Sequence, residues 1–246
     1  VKRSWVEQVM GMPASLLLRA EVIGAVDDVV TAAYAELHRA DVLFSTYRAD
    51  SEISLLRTGR LQVADASPVV REVLALCEQA RTATQGWFHI RLPGGPDPSG
   101  LVKGWAVERA LAVLCRLSGA DICLNVGGDV AVRVRADQPA FVAGIEDPHD
   151  RGRVVATVPL SAGGLATSGV SARGLHIVDP HSGRAVADIA SVSVIGPSLL
   201  WADVYATAAF ARGRECLDWV RGLPSYEALV VHLDGSIETT PGWPPR

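Results

Sequence analysis

Apolar residues recur every three or four positions in some stretches of the chain and alternate one by one in others. The first pattern predicts helices. Val26, Val30, Ala33 and Leu37 share one face of a helix from Ala25 to about Ala40, with Asp27 and Asp28 at the end that favours acids. A short helix follows, capped by Asp50 or Ser51 and ending at Gly59. Ser67-Pro68 opens another that runs to about Gln85, with Gly86 just past its end. Val107, Ala110, Leu111 and Leu114 mark a helix behind the turn Asp97–Gly100, with Gly119 as its stop. Pro197-Ser198 leads into Leu199–Ala211, and a last short helix lies around Glu215–Arg221.

The second pattern predicts strands. Val6–Val22 reads as one strand interrupted by Gly11 and Pro13, and Gly86–Ile90 as another. Asp121–Val126 and Asp129–Val134 form a hairpin over Gly127-Gly128. In the latter strand Val130, Val132 and Val134 alternate with Ala131, Arg133 and Arg135, predicting one buried and one wet face. Phe141–Ile145 and Val154–Leu160 flank the polar loop EDPHDRGR, and Gly163–Gly169 reads as a loop of small residues. Ile189–Ile195 is a β-branched strand. Glu227–Leu233 and Ser236–Thr240 turn at Asp234-Gly235, before a loose tail, PGWPPR. Helices and strands mix without a regular βαβ alternation, which predicts an α+β fold with largely antiparallel sheets.

Composition narrows the function. The 246 residues are 49% hydrophobic, enough for a sizeable core in one large domain or two small ones. A net charge of −4 argues against nucleic acid, which wants a basic stripe. No apolar run approaches the roughly 20 residues that span a bilayer. The four cysteines show no CxxC spacing; Cys77, Cys115 and Cys216 fall in helical patterns, as buried thiols of a reducing compartment would. No signal peptide is visible and a cytoplasmic location is expected. Because the sequence begins at Val1, a processed leader, and with it a membrane-associated or exported form, stays open. There is no GxxxxGK[ST] and no GxGxxG after a strand, so neither a P-loop nor a Rossmann site is expected.

Candidate chemistry gathers in a few places. The turn at Asp97–Gly100 leaves N–H groups at a helix start and brings Asp97, the Gly100 carbonyl and Lys103 together, a setting that suits a phosphate with its metal ion and equally a capped helix with a solvated Lys. Asp203 and Thr207 stand four apart on one helix face. Two hard oxygens there suit Mg²⁺, whereas a first-turn Asp and a surface Thr are the plainer account. His176 can take a proton near neutral pH or serve structurally. Tyr47 can stack on a flat ring or fill ordinary surface or core, and Met10 can meet a ligand or a strand-end gap.

Five segments occur in one order: FSTYRADSEIS at Phe44–Ser54, DPSGLVKGWAVERA at Asp97–Ala110, NVGGDV at Asn125–Val130, ATSG…HIVDPHSG across Ala166–Gly183, and ADVYATAAF at Ala202–Phe210. Together they resemble the FAD:protein FMN transferases, the ApbE-type flavin transferases, from about Met10 to about Gly213. The resemblance implies a T-fold-like ApbE architecture in a single domain over residues 1–246, with the site between two sub-halves. It implies an enzyme that moves the FMN part of FAD onto a Thr or Ser hydroxyl of an acceptor protein and releases AMP. A pyrophosphatase giving FMN and AMP, or a flavin-binding protein without chemistry, are the alternatives.

The resemblance also assigns roles residue by residue. Met10-Gly11 and Ile177 would lie beside the flavin, Tyr47 in the flavin-contacting segment, and Trp87 and Phe88 against FAD. Asp97 would bind the flavin or adenosine part and Lys103 the diphosphate. Mg²⁺ would sit on the Gly100 carbonyl, Asp203 and Thr207, and His176 would be the general base. Two positions depart from the family pattern. His89 stands where members usually have an acid, and Ala206 where some have a second acid, which suggests one carboxylate at the metal.

Overall fold

The computed structural model describes residues 1–20, 26–92, 94–169 and 177–244. Strands β1 (Lys2–Val9) and β2 (Met12–Ala20) pair antiparallel around Met10-Gly11, both at positive φ (53° and 71°). The single interrupted strand expected here is therefore a hairpin, because a two-residue turn of that hand matches the twist of its strands. Helix α1 (Asp27–Phe44) follows, then α2 (Glu52–Arg57), capped by Ser51 Oγ accepting the N–H of Ser54, and α3 (Pro68–Ala83) behind Ser67. Short β3 (Arg91–Leu92) and β4 (Gly95–Pro96) precede α4 (Ser99–Leu114). Next come β5 (Ala120–Val126), β6 (Asp129–Arg133), β7 (Phe141–Asp147), β8 (Asp150–Leu160), β9 (Ala162–Gly169) and β10 (Ile189–Gly196). Helices α5 (Leu199–Arg212) and α6 (Cys216–Val220) and strands β11 (Glu227–His232) and β12 (Ile237–Thr239) complete the order.

Among the described residues one sheet takes eight strands in the order β1-β2-β5-β6-β9-β10-β11-β12, every neighbour antiparallel. Its two faces follow the period of two. Ala131, Ala166, Val192, Val194, Ala228 and Val230 join the core under the helices. Their alternates Val130, Val132, Leu165, Leu229 and Val231, with Ala190 brought to the same face by a bulge in β10, meet Ile145, Ala156, Val158 and Leu160 of the β7–β8 hairpin. Ala131 is therefore buried and not wet, since helices cover the face it points to.

Five more expectations change. Gly163–Gly169 is central strand β9: small residues are needed because a Cβ on Gly164 would fall 2.6 Å from Leu199 Cβ, and one on Gly163 would fall 2.1 Å from the Gly196 carbonyl oxygen. Residues Gly86–Ile90 form no strand; the Phe88 N–H is taken by Thr84 Oγ1 at 2.9 Å, in a turn tied to the end of α3. Most of EDPHDRGR is strand, with only a tight turn left where Asp147 accepts the His149 N–H. The tail is tied as well, with the Gly242 N–H on Glu227 at 3.1 Å and Trp243 packed on the second core. Helix α4 ends at Leu114, before Gly119.

Helices α4 and α5 cross with their backbones in contact. A Cβ on Gly104 would fall 2.8 Å from Leu200 Cα, so only glycine fits. Glu108 Oε1 of α4 accepts the Ser198 hydroxyl (2.8 Å) and the Leu200 N–H (3.2 Å), capping α5. At the end of β5 opposite the Gly127-Gly128 turn, wholly buried Asp121 pairs with Arg19 and Arg135, and Arg19 stacks on Phe141 of the hairpin. The four cysteines are free, with Cys77 and Cys216 buried. No helix among the described residues is long and apolar enough to cross a membrane.

Candidate functional site

Three turns and strand ends meet at one end of the sheet. The β5–β6 turn, Gly127-Gly128, takes positive φ at both residues, and the Gly127 N–H donates to the Pro13 carbonyl beside the β1–β2 turn. Asp129 opens β6 at this end and accepts the Thr167 N–H of β9 at 3.3 Å. Helix α4 starts here too: the Asp97 carboxylate accepts the Ser99 N–H at 3.0 Å, a side-chain turn that begins the helix.

From the neighbouring helix α5, Asp203 and Thr207 project one turn apart on the same face. The Gly104 N–H donates to Asp203 Oδ2 at 3.3 Å. A Cβ on Gly100 would lie 3.6 Å from Thr207 Oγ1 and 3.2 Å from the Phe88 ring edge, so the Gly100 Cα faces both. The Thr207 hydroxyl also meets Ser168 Oγ of β9 at 3.3 Å. Lys103 Nζ stands 2.7 Å from Asp129 Oδ2 and 3.8 Å from Asp203 Oδ1.

Two buried carboxylates thus face one ammonium, with side-chain exposures of 1% for Asp129, 4% for Asp203 and 20% for Lys103. Burial raises the Asp129 pKa above the usual carboxylate range, against the opposing pull of Lys103. Among the described residues the cluster carries an excess of negative charge, and its other donors are hydroxyl and backbone oxygens. That set fits a hard divalent cation. Mg²⁺ needs only one or two carboxylates when substrate phosphates complete its shell. The described residues hold no group of three His, Cys, Asp or Glu that would cage a metal unaided.

Of the residues singled out from sequence, Gly100, Lys103, Asp203, Thr207 and Phe88 are brought together. Asp97 adjoins them at the start of α4, and Met10 lies in the β1–β2 turn, half-buried against the main core. Trp87 sets its ring edge-on to His181, with centroids 4.5 Å apart. Ile177 is half-buried against the main core. Tyr47 is 94% exposed. His176 lies outside the described residues. Ala206 is fully buried in the apolar core.

Sequence reasoning missed Asp129 and Ser168. Asp129 was in view inside NVGGDV, and an acid opening a strand of valines is a signal. It reads as a turn residue until the strand is known to be covered on both faces.

Residues 96–230 match the sequence profile of the ApbE family. The FAD:protein FMN transferase of Rhodobacter capsulatus is 34% identical over 157 residues, which make up 59% of this chain and 29% of that protein; the match spans less than a third of the relative's length. In fold, the chain is similar to the crystal structure of the ApbE protein of Thermotoga maritima, with a TM-score of 0.88 at 19% identity over 98% of this chain and 97% of that one. It is similar also to the flavin transferase ApbE of Vibrio cholerae, with a TM-score of 0.80 at 19% identity over 97% and 96%.

Proposed function

The chain belongs to the ApbE family, and from that premise we propose that it transfers the FMN part of FAD to a Thr or Ser hydroxyl of an acceptor protein, in a Mg²⁺-dependent reaction that releases AMP. The observation that carries this reading is that Gly100 faces Thr207 with no room beyond a Cβ between them, with Asp203 and Lys103 on the same cluster. A phosphoryl transfer asks little covalent chemistry of a protein; it asks for positioned charge.

The Gly100 carbonyl, Asp203 and Thr207 are the residues that would hold Mg²⁺, which when bound supplies positive charge to the phosphoryl oxygens. Lys103, paired to Asp129 yet one-fifth exposed, adds a fixed ammonium to the diphosphate side. Asp129 holds that ammonium in place. The acceptor hydroxyl forms a bond to the FMN-side phosphorus as the bond to AMP breaks. His176 is assigned the proton of the attacking hydroxyl by the family pattern. Trp87, Phe88, Met10, Ile177 and Tyr47 are assigned to the flavin nucleotide, and Asp97 to its flavin or adenosine part.

Mass spectrometry tests the reading. Incubated with FAD, Mg²⁺ and a Thr-containing acceptor peptide, the protein is expected to add one FMN to the acceptor. Free FMN with AMP would identify a pyrophosphatase, and intact FAD a carrier; either result overturns the transferase reading.

A further inference from the structure

We infer that Arg212 is a positioning residue for the flavin nucleotide, acting through the turn that carries Trp87 and Phe88. The inference rests on the reading above, in which those two residues meet FAD.

Arg212 is the last residue of α5, the helix that carries Asp203 and Thr207. An arginine at a helix end ordinarily extends into water, where it balances the C-terminal dipole. Here the guanidinium lies between two indoles, 4.9 Å from the Trp87 centroid and 4.6 Å from that of Trp219. Its Nη2 donates to Gln85 Oε1 at 3.0 Å and to the Thr84 carbonyl at 3.4 Å. One planar cation thus makes two stacks and two hydrogen bonds, a combination that an ammonium cannot reproduce.

The turn it grips needs holding. Gln85 takes φ 57° and Gly86 φ 86°, and a left-handed Gln costs about 1 kcal/mol. From that turn two contacts lead into the site. The Phe88 ring faces Gly100, its edge 3.2 Å from where a Cβ would stand, and Trp87 sets its edge on His181, in the segment that follows His176. Asp179 fixes that segment from inside, accepting the His181 N–H (2.8 Å) and the Ser182 hydroxyl (2.6 Å). Arg212 therefore ties the end of the ligand-bearing helix to two walls of the nucleotide site, through groups outside the sheet ladder.

FAD affinity, KM and kcat measured on Arg212→Leu, Arg212→Lys, Trp87→Ala and the double variant Arg212→Leu/Trp87→Ala test this. Arg212→Leu is expected to weaken FAD binding and raise its KM by about tenfold while kcat changes by less than about threefold, as lost stacking and two lost hydrogen bonds would give. Arg212→Lys should recover part of the loss. The double variant should lose less than the sum of the two single losses, because the arginine acts in part through that ring. Unchanged affinity in Arg212→Leu, a loss confined to kcat, or additive losses in the double variant would overturn the inference. Should Arg212→Leu not fold, Arg212→Lys and Gln85→Ala carry the test, and unchanged affinity in both overturns it. A parent protein that binds no FAD overturns the functional reading itself; one that transfers FMN while Arg212→Leu behaves identically overturns only the role of Arg212.

Discussion

Lys103 Nζ stands 2.7 Å from Asp129 Oδ2, so that an ammonium one-fifth open to water neutralises a carboxylate that is wholly buried. Removing it takes from Asp129 its ion-pair partner and from Asp203 a cation at 3.8 Å. Lys103→Met is expected to lower stability by about 3 kcal/mol in the absence of a divalent cation. Millimolar Mg²⁺ should then raise the melting temperature of this variant by more than it raises the parent's, because the cation takes over part of the missing charge. Thermal unfolding with and without Mg²⁺ measures both, and equal gains would count against a shared cation site.

Asp203→Ala should abolish Mg²⁺-dependent turnover of FAD and leave the fold standing. The Gly104 N–H loses its acceptor at a cost of about 1–2 kcal/mol, small beside the burial retained on α5. Circular dichroism with a turnover assay distinguishes the two effects. Full activity would remove Asp203 from the ligand set.

Gly100→Ala separates stability from function. A helical Gly→Ala change gains up to about 1 kcal/mol, but the new Cβ would press on the Phe88 ring at 3.2 Å and narrow the approach to Thr207. Stability near the parent's, with a higher Mg²⁺ requirement for turnover, is the expected pair of results. A Mg²⁺ titration of activity alongside a melting curve checks it.

Asp121 supplies a pH dependence remote from the site. Its carboxylate accepts from Arg19 Nε, Arg135 Nε and the Arg135 N–H, each at 3.0 Å. Burial raises its pKa, but the bonds from Arg135 and Arg19 outweigh this and hold it below the usual carboxylate value. With a folded pKa under the unfolded value of about 3.9, its stabilisation is complete above that pH and is lost as pH falls through the folded pKa. Asp121→Asn should therefore cost about 2 kcal/mol at pH 7, discounted because both guanidinium groups reach solvent, and the gap to the parent should close below about pH 4. Urea unfolding at pH 7, 5 and 3 would show it; a constant gap would not fit.

How much of this was legible before the structure depended on what each residue answers to. The helices of α1, α3, α4 and α5 and the Gly127-Gly128 hairpin follow from local chemistry: Ser51, Ser67 and Ser198 do cap, and the apolar faces do bury. Strand β9 was illegible because its glycines answer to Leu199 and Gly196, which are distant in sequence. Ala131 misled for the same reason, since a strand covered on both faces carries no wet alternate. At the site, Asp203 and Thr207 were visible as a spacing and Gly100 through the order of family segments. The pairing of Asp129 with Lys103 joins two elements that no local pattern connects, and only the sheet register brings them together.

The glycine crossing of α4 and α5 makes those helices a pair of levers with a common fulcrum. Thr207 lies about two turns beyond Leu200, roughly 10 Å along the axis. A tilt of about 5° at the pivot would swing its hydroxyl by about 1 Å, several times the spread that a Mg²⁺–oxygen bond tolerates. If Mg²⁺ binds as proposed, grip on the ion would therefore be tuned by bulk at position 104, where the two backbones meet.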